Sequence, residues 1–270
     1  KSLYYLPISM ILTSIFNKKT MVIHHHFMYL EFSGLKRCLY KFSESLFLKT
    51  SKYILTPSPY IKDLIKAKIK KEAILCPIPF THHKETAIHN TKMGNLLYVG
   101  TIEERKGLKY IIQALKILKQ EHIPAELKIV GKIANHKYYA DLQLEISKHD
   151  LNVNFFGYVS TTQLEELYSN ADAFVFPSLL EGFGMAINEA MTYGLPVIAF
   201  NNSAMPYSVN ENNGILVDNK DYHGLASAIK KLILNRELRN ELSKGAAEYS
   251  RTLTTHDKFH DNAINILNTL

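Results

Sequence analysis

Glu181 and Glu189 stand eight positions apart around a Gly-Phe-Gly turn, inside Pro-Ser-Leu-Leu-Glu-Gly-Phe-Gly-Met-Ala-Ile-Asn-Glu-Ala-Met at residues 177–191. Carboxylates accept hydrogen bonds from hydroxyls, and sugars carry many vicinal hydroxyls. The apolar, β-prone run Ala173–Phe176 before the turn reads as a buried parallel strand. Gly182 and Gly184, on either side of Phe183, let the backbone approach a ligand closely. The helix that they open presents free N–H groups and a partial positive charge, which suits a diphosphate. At about 1.5 Å rise per residue, Glu189 lies roughly 7–8 Å along that helix from Gly184, within reach of a ribose. Glu181, at the strand–loop junction, is left to face the sugar. The pattern therefore points to a nucleotide sugar. The bare spacing of two glutamates would equally describe a solvated helix face. Direction comes from the glycines, from Pro177-Ser178 before them and from Gly194-Leu195-Pro196-Val197 after them.

A second group of polar residues follows another short strand. Residues 97–108 read LYVGTIEERKGL: the strand ends at Gly100, Thr101 comes next, and Arg105 and Lys106 precede a helix that starts near Gly107. Cations at a helix N-terminus oppose its dipole, and an anion bound between them removes that penalty. The bland alternative is that Glu103, Glu104, Arg105 and Lys106 form exposed ion pairs of little worth. Gly131 and Gly157 end two more strands on the same sheet edge, the edge that forms the ligand crevice of a doubly wound sheet; simple chain reversal explains them equally well. His24, His25 and His26 sit at the end of a further strand. Successive strand residues point to opposite faces, and no cysteine or carboxylate accompanies these three, so no metal site is expected.

The elements that must position these groups alternate. Strands are expected at Leu3–Leu6, Met21–His25, Tyr53–Thr56 and Ala73–Cys76, with helices at Ile8–Phe16, Leu35–Lys49 and Tyr60–Lys70. Thr81–Met93 is polar and aperiodic and reads as an interdomain linker. A second series has strands at Leu96–Val99, Glu126–Val130, Val153–Phe156, Ala173–Phe176, Val197–Phe200 and Ile215–Val217, most of them followed by a helix. This alternation predicts an α/β chain with parallel sheets. Residues 1–92 form a partial first domain with its linker, 93–252 a complete Rossmann-like domain, and 253–270 a final helix.

Composition narrows the class. A chain of 270 residues with 46% hydrophobic and 21% charged residues is globular. Cys38 and Cys76 make neither a disulfide framework nor a zinc site, which favours a reducing, cytoplasmic setting. Residues 2–16 are apolar but too short to span a bilayer comfortably. Residues 1–92 hold 15 Lys+Arg against 5 Asp+Glu, a net of +10, so the remainder of the +7 chain is 7 − 10 = −3. Lys62, Lys66, Lys68, Lys70 and Lys71 concentrate that charge. They suit an anionic membrane surface or a phosphorylated acceptor, or are simply a solvated helix end. No nucleic-acid motif accompanies them.

EGFGMAINEAMTYGLPV, from Glu181 to Val197, resembles the Glu-x7-Glu signature of family 4 glycosyltransferases, retaining enzymes of GT-B fold. The resemblance runs over nearly the whole chain, with YILTPSPYIKDLI at residues 53–65 similar to the end of the family's acceptor domain. It implies transfer of a glycosyl unit from a nucleoside diphosphate sugar to a glycan, lipid or small-molecule acceptor, with retention and without a dedicated metal. Lys106 matches the family lysine that neutralises the diphosphate. The family's usual arginine after the strand glycine is Thr101 here, and Arg105 stands in for it. Gly157 and Tyr158 resemble the place where the nucleobase is read, and His25, with His24 and His26 close behind, resembles the histidine facing the transferred sugar. Ser203-Ala204-Met205-Pro206 replaces a Pro-Glu found in many relatives. The chain starts at what looks like the middle of the acceptor domain, so a fragment or a naturally shortened protein is expected. A sugar phosphorylase or synthase on the same fold, or a non-catalytic sugar-nucleotide-binding module, are the competing readings.

Overall fold

The computed structural model describes residues 21–25, 27, 30, 33–81 and 94–269. The expected strand Leu3–Leu6, the helix Ile8–Phe16, His26 and nearly all of the expected linker lie outside these residues. The chain divides into two compact units, one of Lys1–Pro79 with Thr254–Leu270 and one of Phe80–Leu253.

In the first unit, β1 (Met21–Ile23), β2 (Tyr53–Thr56) and β3 (Ile74–Leu75) form a parallel sheet in that order. Two helices connect them, α1 (Gly34–Thr50) and α2 (Pro59–Ile69). Ser58 starts α2 by accepting the Ile61 N–H at 3.3 Å, with Pro59 in the first turn, where its missing N–H costs nothing. Ile61, Ile65 and Ile69 on one face of α2 pack with Tyr40, Leu48 and Ile54 into the core. Part of the lysine run is spent locally. The Lys71 ammonium donates to the carbonyls of Leu48 and Ser51 at the C-terminal end of α1, where a cation is favoured. Lys66 pairs with Glu72 at 2.7 Å in full solvent.

The second unit is a six-stranded parallel sheet. Its strands are β4 (Gly94–Val99), β5 (Ala125–Val130), β6 (Val153–Gly157), β7 (Ala173–Phe176), β8 (Val197–Phe200) and β9 (Gly214–Val217), in the spatial order β6-β5-β4-β7-β8-β9. β7 and β8 are buried at every position, as their unbroken apolar runs demand. The intervening helices are α3 (Leu108–Gln120), α4 (His136–Lys148), α5 (Thr161–Ser169), α6 (Met185–Thr192), α7 (Tyr222–Leu234) and α8 (Arg236–Ser250). Short polar side chains start four of them: Asn135 accepts the Tyr138 N–H, Ser160 and Gln163 form a capping box, and Asp221 and Asn235 cap α7 and α8. The last helix, α9 (His256–Thr269), belongs with the first unit. No helix among the described residues is long and apolar enough to cross a membrane.

The sheet order matters for function. From β4 the chain builds outward through β5 to β6, then returns to lay β7 on the other side of β4 and builds outward again to β9. Connections leaving β4 and β7 therefore diverge, which opens a crevice above their C-terminal ends.

Candidate functional site

Two loops meet over that switch point. After β4 the chain runs through Gly100 and Thr101 into a single 3-10 turn, Glu104–Lys106, and reaches α3 through Gly107. After β7 it runs through Pro177 to Gly184 and enters α6. The Leu179 N–H donates to the Arg105 carbonyl at 2.8 Å, and an Arg105 guanidinium N–H donates to the Leu180 carbonyl at 2.8 Å. Gly107 has φ +74°, and a Cβ there would lie 1.9 Å from the Pro177 carbonyl oxygen. Only glycine lets the two loops close to this distance.

That approach delivers the charges. Lys106 Nζ donates to Glu181 Oε1 at 2.5 Å, and Ser178 Oγ donates to the same oxygen at 2.7 Å. An Arg105 guanidinium nitrogen lies 3.8 Å from it, while the other end of Arg105 pairs with Glu103 at 2.8 Å. The Lys106 and Glu181 side chains are only 14% and 12% exposed, which makes this contact stronger than a surface pair. The ammonium also sits 5.3 Å from the centre of the Phe176 ring, which stacks on Tyr98. Burial, with the Glu181 charge added, pushes the Tyr98 hydroxyl well above its usual range, so it stays neutral and donates to the Thr101 carbonyl. An ammonium has three N–H donors, and Glu181 takes one.

The turn after Glu181 supplies backbone donors. Gly184, at φ +79°, is the N-cap of α6, and no side chain caps this helix end. Of its first-turn amides, Ile187 N–H bonds the Gly184 carbonyl at 3.0 Å, and those of Met185 and Ala186 precede any carbonyl that the helix could offer them. Ala204 N–H holds the Glu181 carbonyl at 3.3 Å, and the Asn202 amide holds the Ser178 carbonyl at 3.1 Å. Both contacts brace the loop from the end of β8.

Glu189 lies on the second turn of α6. Burial pushes its carboxyl above the usual 4.5, and the Tyr168 hydroxyl pulls only partly the other way. That hydroxyl is itself buried. A raised folded-state pKa in a carboxylic acid costs stability once the group ionises: the penalty is absent below about pH 4, grows through the window above 4.5, and is complete above the folded pKa. Glu189→Gln is therefore expected to melt no lower than the native chain at pH 7, with any gain vanishing toward pH 4. Thermal denaturation across that range checks the sign.

The remaining sequence candidates divide. Gly100, Gly131 and Gly157 lie side by side at the ends of β4, β5 and β6, with Gly100 N–H bonded to the Val130 carbonyl and Gly131 N–H to the Gly157 carbonyl. A Cβ on Gly131 would lie 2.0 Å from the Gly100 oxygen, so packing between strands accounts for that glycine without a ligand. Gly157 has φ +65° and open space beside it, and Tyr158 is 94% exposed. The Phe183 ring lies 6.2 Å from that of Phe80. His24 is buried against Phe27, whereas His25 is exposed; both belong to the first unit. Among the described residues, no group of three or more His, Cys, Asp or Glu side chains is placed to hold a metal ion. Sequence reasoning passed over Ser178 and Asn202 as individual contributors. Ser178 lay inside the quoted motif, but its bond to Glu181 depends on how the loop folds back.

A family model of the group 1 glycosyl transferases matches residues 80–249, which include both loops and Glu189. The chain belongs to this family. Among curated relatives of this group 1 chain, O-antigen chain mannosyltransferase B of Escherichia coli is 31% identical over 140 residues, covering 50% of this chain and 36% of that protein. The capsular polysaccharide biosynthesis glycosyltransferase CapM of Staphylococcus aureus is 31% identical over 146 residues, covering 54% of this chain and 38% of that one. The chain thus spans little more than a third of these relatives. Among solved structures, sucrose-phosphate synthase from Thermosynechococcus elongatus superposes with a TM-score of 0.81 at 21% identity, over 97% of this chain and 70% of that one. Anabaena HepE in complex with UDP and glucose gives 0.81 at 17%, over 99% and 76%. At these identities the likeness establishes the fold, an α/β architecture shared with GT-B glycosyltransferases.

Proposed function

We propose that the chain carries the donor site of a glycosyltransferase that moves a sugar from a nucleoside diphosphate sugar to a glycan, lipid or small-molecule acceptor with retention of configuration. The observation that carries this reading is the meeting of Lys106 and Glu181 across the switch point, beside the uncapped start of α6. A diphosphate entering there meets an ammonium and first-turn backbone amides together. Lys106 then transfers one N–H from Glu181 to the phosphate, and Arg105 adds a second cation nearby. Glu181, still held by Ser178, is released toward the sugar hydroxyls, and Glu189 accepts from the ribose. As the glycosyl–phosphate bond breaks, the cations and helix end stabilise the departing charge. Retention follows if the acceptor attacks from the face that the phosphate leaves, with a phosphate oxygen taking the acceptor proton. The HepE structure holds UDP and glucose, which supports a uridine nucleotide as the first donor to try.

Incubation of the chain with a panel of nucleoside diphosphate sugars, followed by mass spectrometry, tests the reading. Donor hydrolysis or transfer is expected. Binding without either reaction would instead identify a sugar-nucleotide-binding module. Sugar 1-phosphate released from an oligosaccharide by inorganic phosphate would identify a phosphorylase. Glu189→Gln is expected to weaken donor binding about tenfold, on the order of 1.4 kcal/mol, while keeping its thermal stability.

A further inference from the structure

The turn after β8 holds the Glu181 loop at two points. The Asn202 amide donates to the Ser178 carbonyl and to Asn219 Oδ1, each at 3.1 Å, and the Ala204 N–H donates to the Glu181 carbonyl at 3.3 Å. Asn202 thereby joins the loops that leave β7, β8 and β9. The Ser178 carbonyl can only accept, so the amide nitrogen must face it. That leaves Asn202 Oδ1 buried without a hydrogen-bond partner among the described residues, a cost that an apolar side chain would avoid. Ser203, between the two anchors, is held at φ +50°, which costs a residue other than glycine energy. Both costs fall where the turn grips the Glu181 loop. The grip sets the direction of one carboxylate oxygen. Lys106 Nζ, Ser178 Oγ and an Arg105 nitrogen all lie against Glu181 Oε1, at 2.5, 2.7 and 3.8 Å, and Oε2 is in none of these contacts. Ser178 is fully buried, with its Oγ 3.3 Å from the Arg105 carbonyl.

We infer that Asn202 is a positioning residue for sugar recognition: by holding the Ser178 carbonyl it places the Ser178 hydroxyl, and through that hydroxyl it aims Glu181 Oε2 at the sugar. That role rests on the donor site proposed for the Lys106–Glu181 crevice. Once a diphosphate draws Lys106 away, Ser178 is the remaining close partner of Glu181, with Arg105 farther off and paired to Glu103. The aim of Oε2 then depends on where the β7 loop holds Ser178. A hydroxyl bound by a carboxylate is sensitive to direction as well as distance, so a displacement of about 1 Å is enough to lose it. The nucleotide itself is assigned to Lys106, to the amides that open α6 and to Glu189, and Asn202 makes no hydrogen bond to any of these. Loss of the Asn202 amide is therefore expected to be felt on the sugar and to spare the nucleoside diphosphate.

Calorimetric titration of the full chain tests this by comparing a nucleotide sugar with its own nucleotide: UDP-glucose with UDP, and GDP-mannose with GDP. The native chain is expected to bind at least one pair. Asn202→Ala is expected to weaken the nucleotide sugar of that pair about tenfold and to change the nucleoside diphosphate less than about twofold. Asn202→Asp, which keeps the size of the side chain and replaces its N–H donors with oxygen, is expected to do the same. In a Ser178→Ala background the further loss from Asn202→Ala is expected to shrink to about twofold, because the relay to Glu181 is already cut. A merely structural role would weaken both members of the pair alike, or add in full to Ser178→Ala, and either result overturns the assignment. Unchanged nucleotide-sugar affinity in both Asn202 variants overturns it too, while leaving the donor site standing. A native chain that binds neither UDP nor GDP would overturn the donor site, and the role of Asn202 with it.

Discussion

Lys106→Ala is expected to lower kcat/KM for the donor by a factor of ten at least, on the order of 1.4 kcal/mol, and toward a hundred where the ammonium acts mainly on the charge developing in the transition state. Two effects must be separated. Lys106 holds Glu181 in the structure, and it is also proposed to meet the diphosphate. Its removal leaves Glu181 with Ser178 and the more distant Arg105 in a site that is mostly shielded from water, a cost to the fold in its own right. A double-mutant cycle with Glu181→Gln makes the distinction. Were Lys106 only a partner for Glu181, its loss would be silent once the carboxylate charge is gone. Contact with the diphosphate predicts that Lys106→Ala still costs about tenfold in donor affinity in the Glu181→Gln background. Calorimetric titration of a nucleoside diphosphate into the four proteins reads the difference.

The second large effect is expected from a glycine. Gly107→Ala places a methyl group 1.9 Å from a carbonyl oxygen of the neighbouring loop, at a backbone φ of +74° that L residues rarely adopt. The obstacle is backbone on both sides, so the loops over the switch point must separate. A loss of about 3 kcal/mol or more is expected, with donor binding falling as Arg105 and Lys106 move away from the start of α6. Gly157→Ala is the control. Its φ is +65°, but nothing lies within 4 Å of the added methyl, so only the conformational penalty remains, about 1 kcal/mol. Chemical denaturation of both variants checks the contrast. Equal losses would mean that the Gly107–Pro177 approach can relax.

Much of the second unit was legible because its signals are local. The four-residue apolar runs of β7 and β8 match their strands residue for residue, since a central parallel strand is buried on both faces and its sequence shows it. Hydrophobic periodicity places helices near Tyr138–His149 and Gly224–Leu234; they begin two residues earlier, at His136 and Tyr222, because the caps Asn135 and Asp221 sit outside the periodic run. The contacts that assemble the site were less visible. Lys106 and Glu181 are 75 positions apart, and only strand order brings β4 beside β7. Sequence reasoning set both Arg105 and Lys106 at a helix N-terminus. The structure puts them in a 3-10 turn ahead of Gly107 and employs much of the Arg105 guanidinium in tying the two loops together. The sequence leaves Gly131 on the crevice edge with chain reversal as an equal explanation, and it cannot show that the Gly100 carbonyl of the adjacent strand end leaves no room for a Cβ there. The exposure of Leu35 and Phe42 on α1 is hidden for the opposite reason. Helical periodicity identifies an apolar face, but it cannot say whether the chain turns that face inward.

A crystal structure of the chain with bound UDP tests the central claim most directly. Diphosphate oxygens are expected about 2.7–3.2 Å from Lys106 Nζ and from first-turn amides of α6, with the Lys106–Glu181 contact lengthened and the ribose against Glu189. A nucleotide bound elsewhere, with Lys106 and Glu181 still joined as they are now, would contradict it.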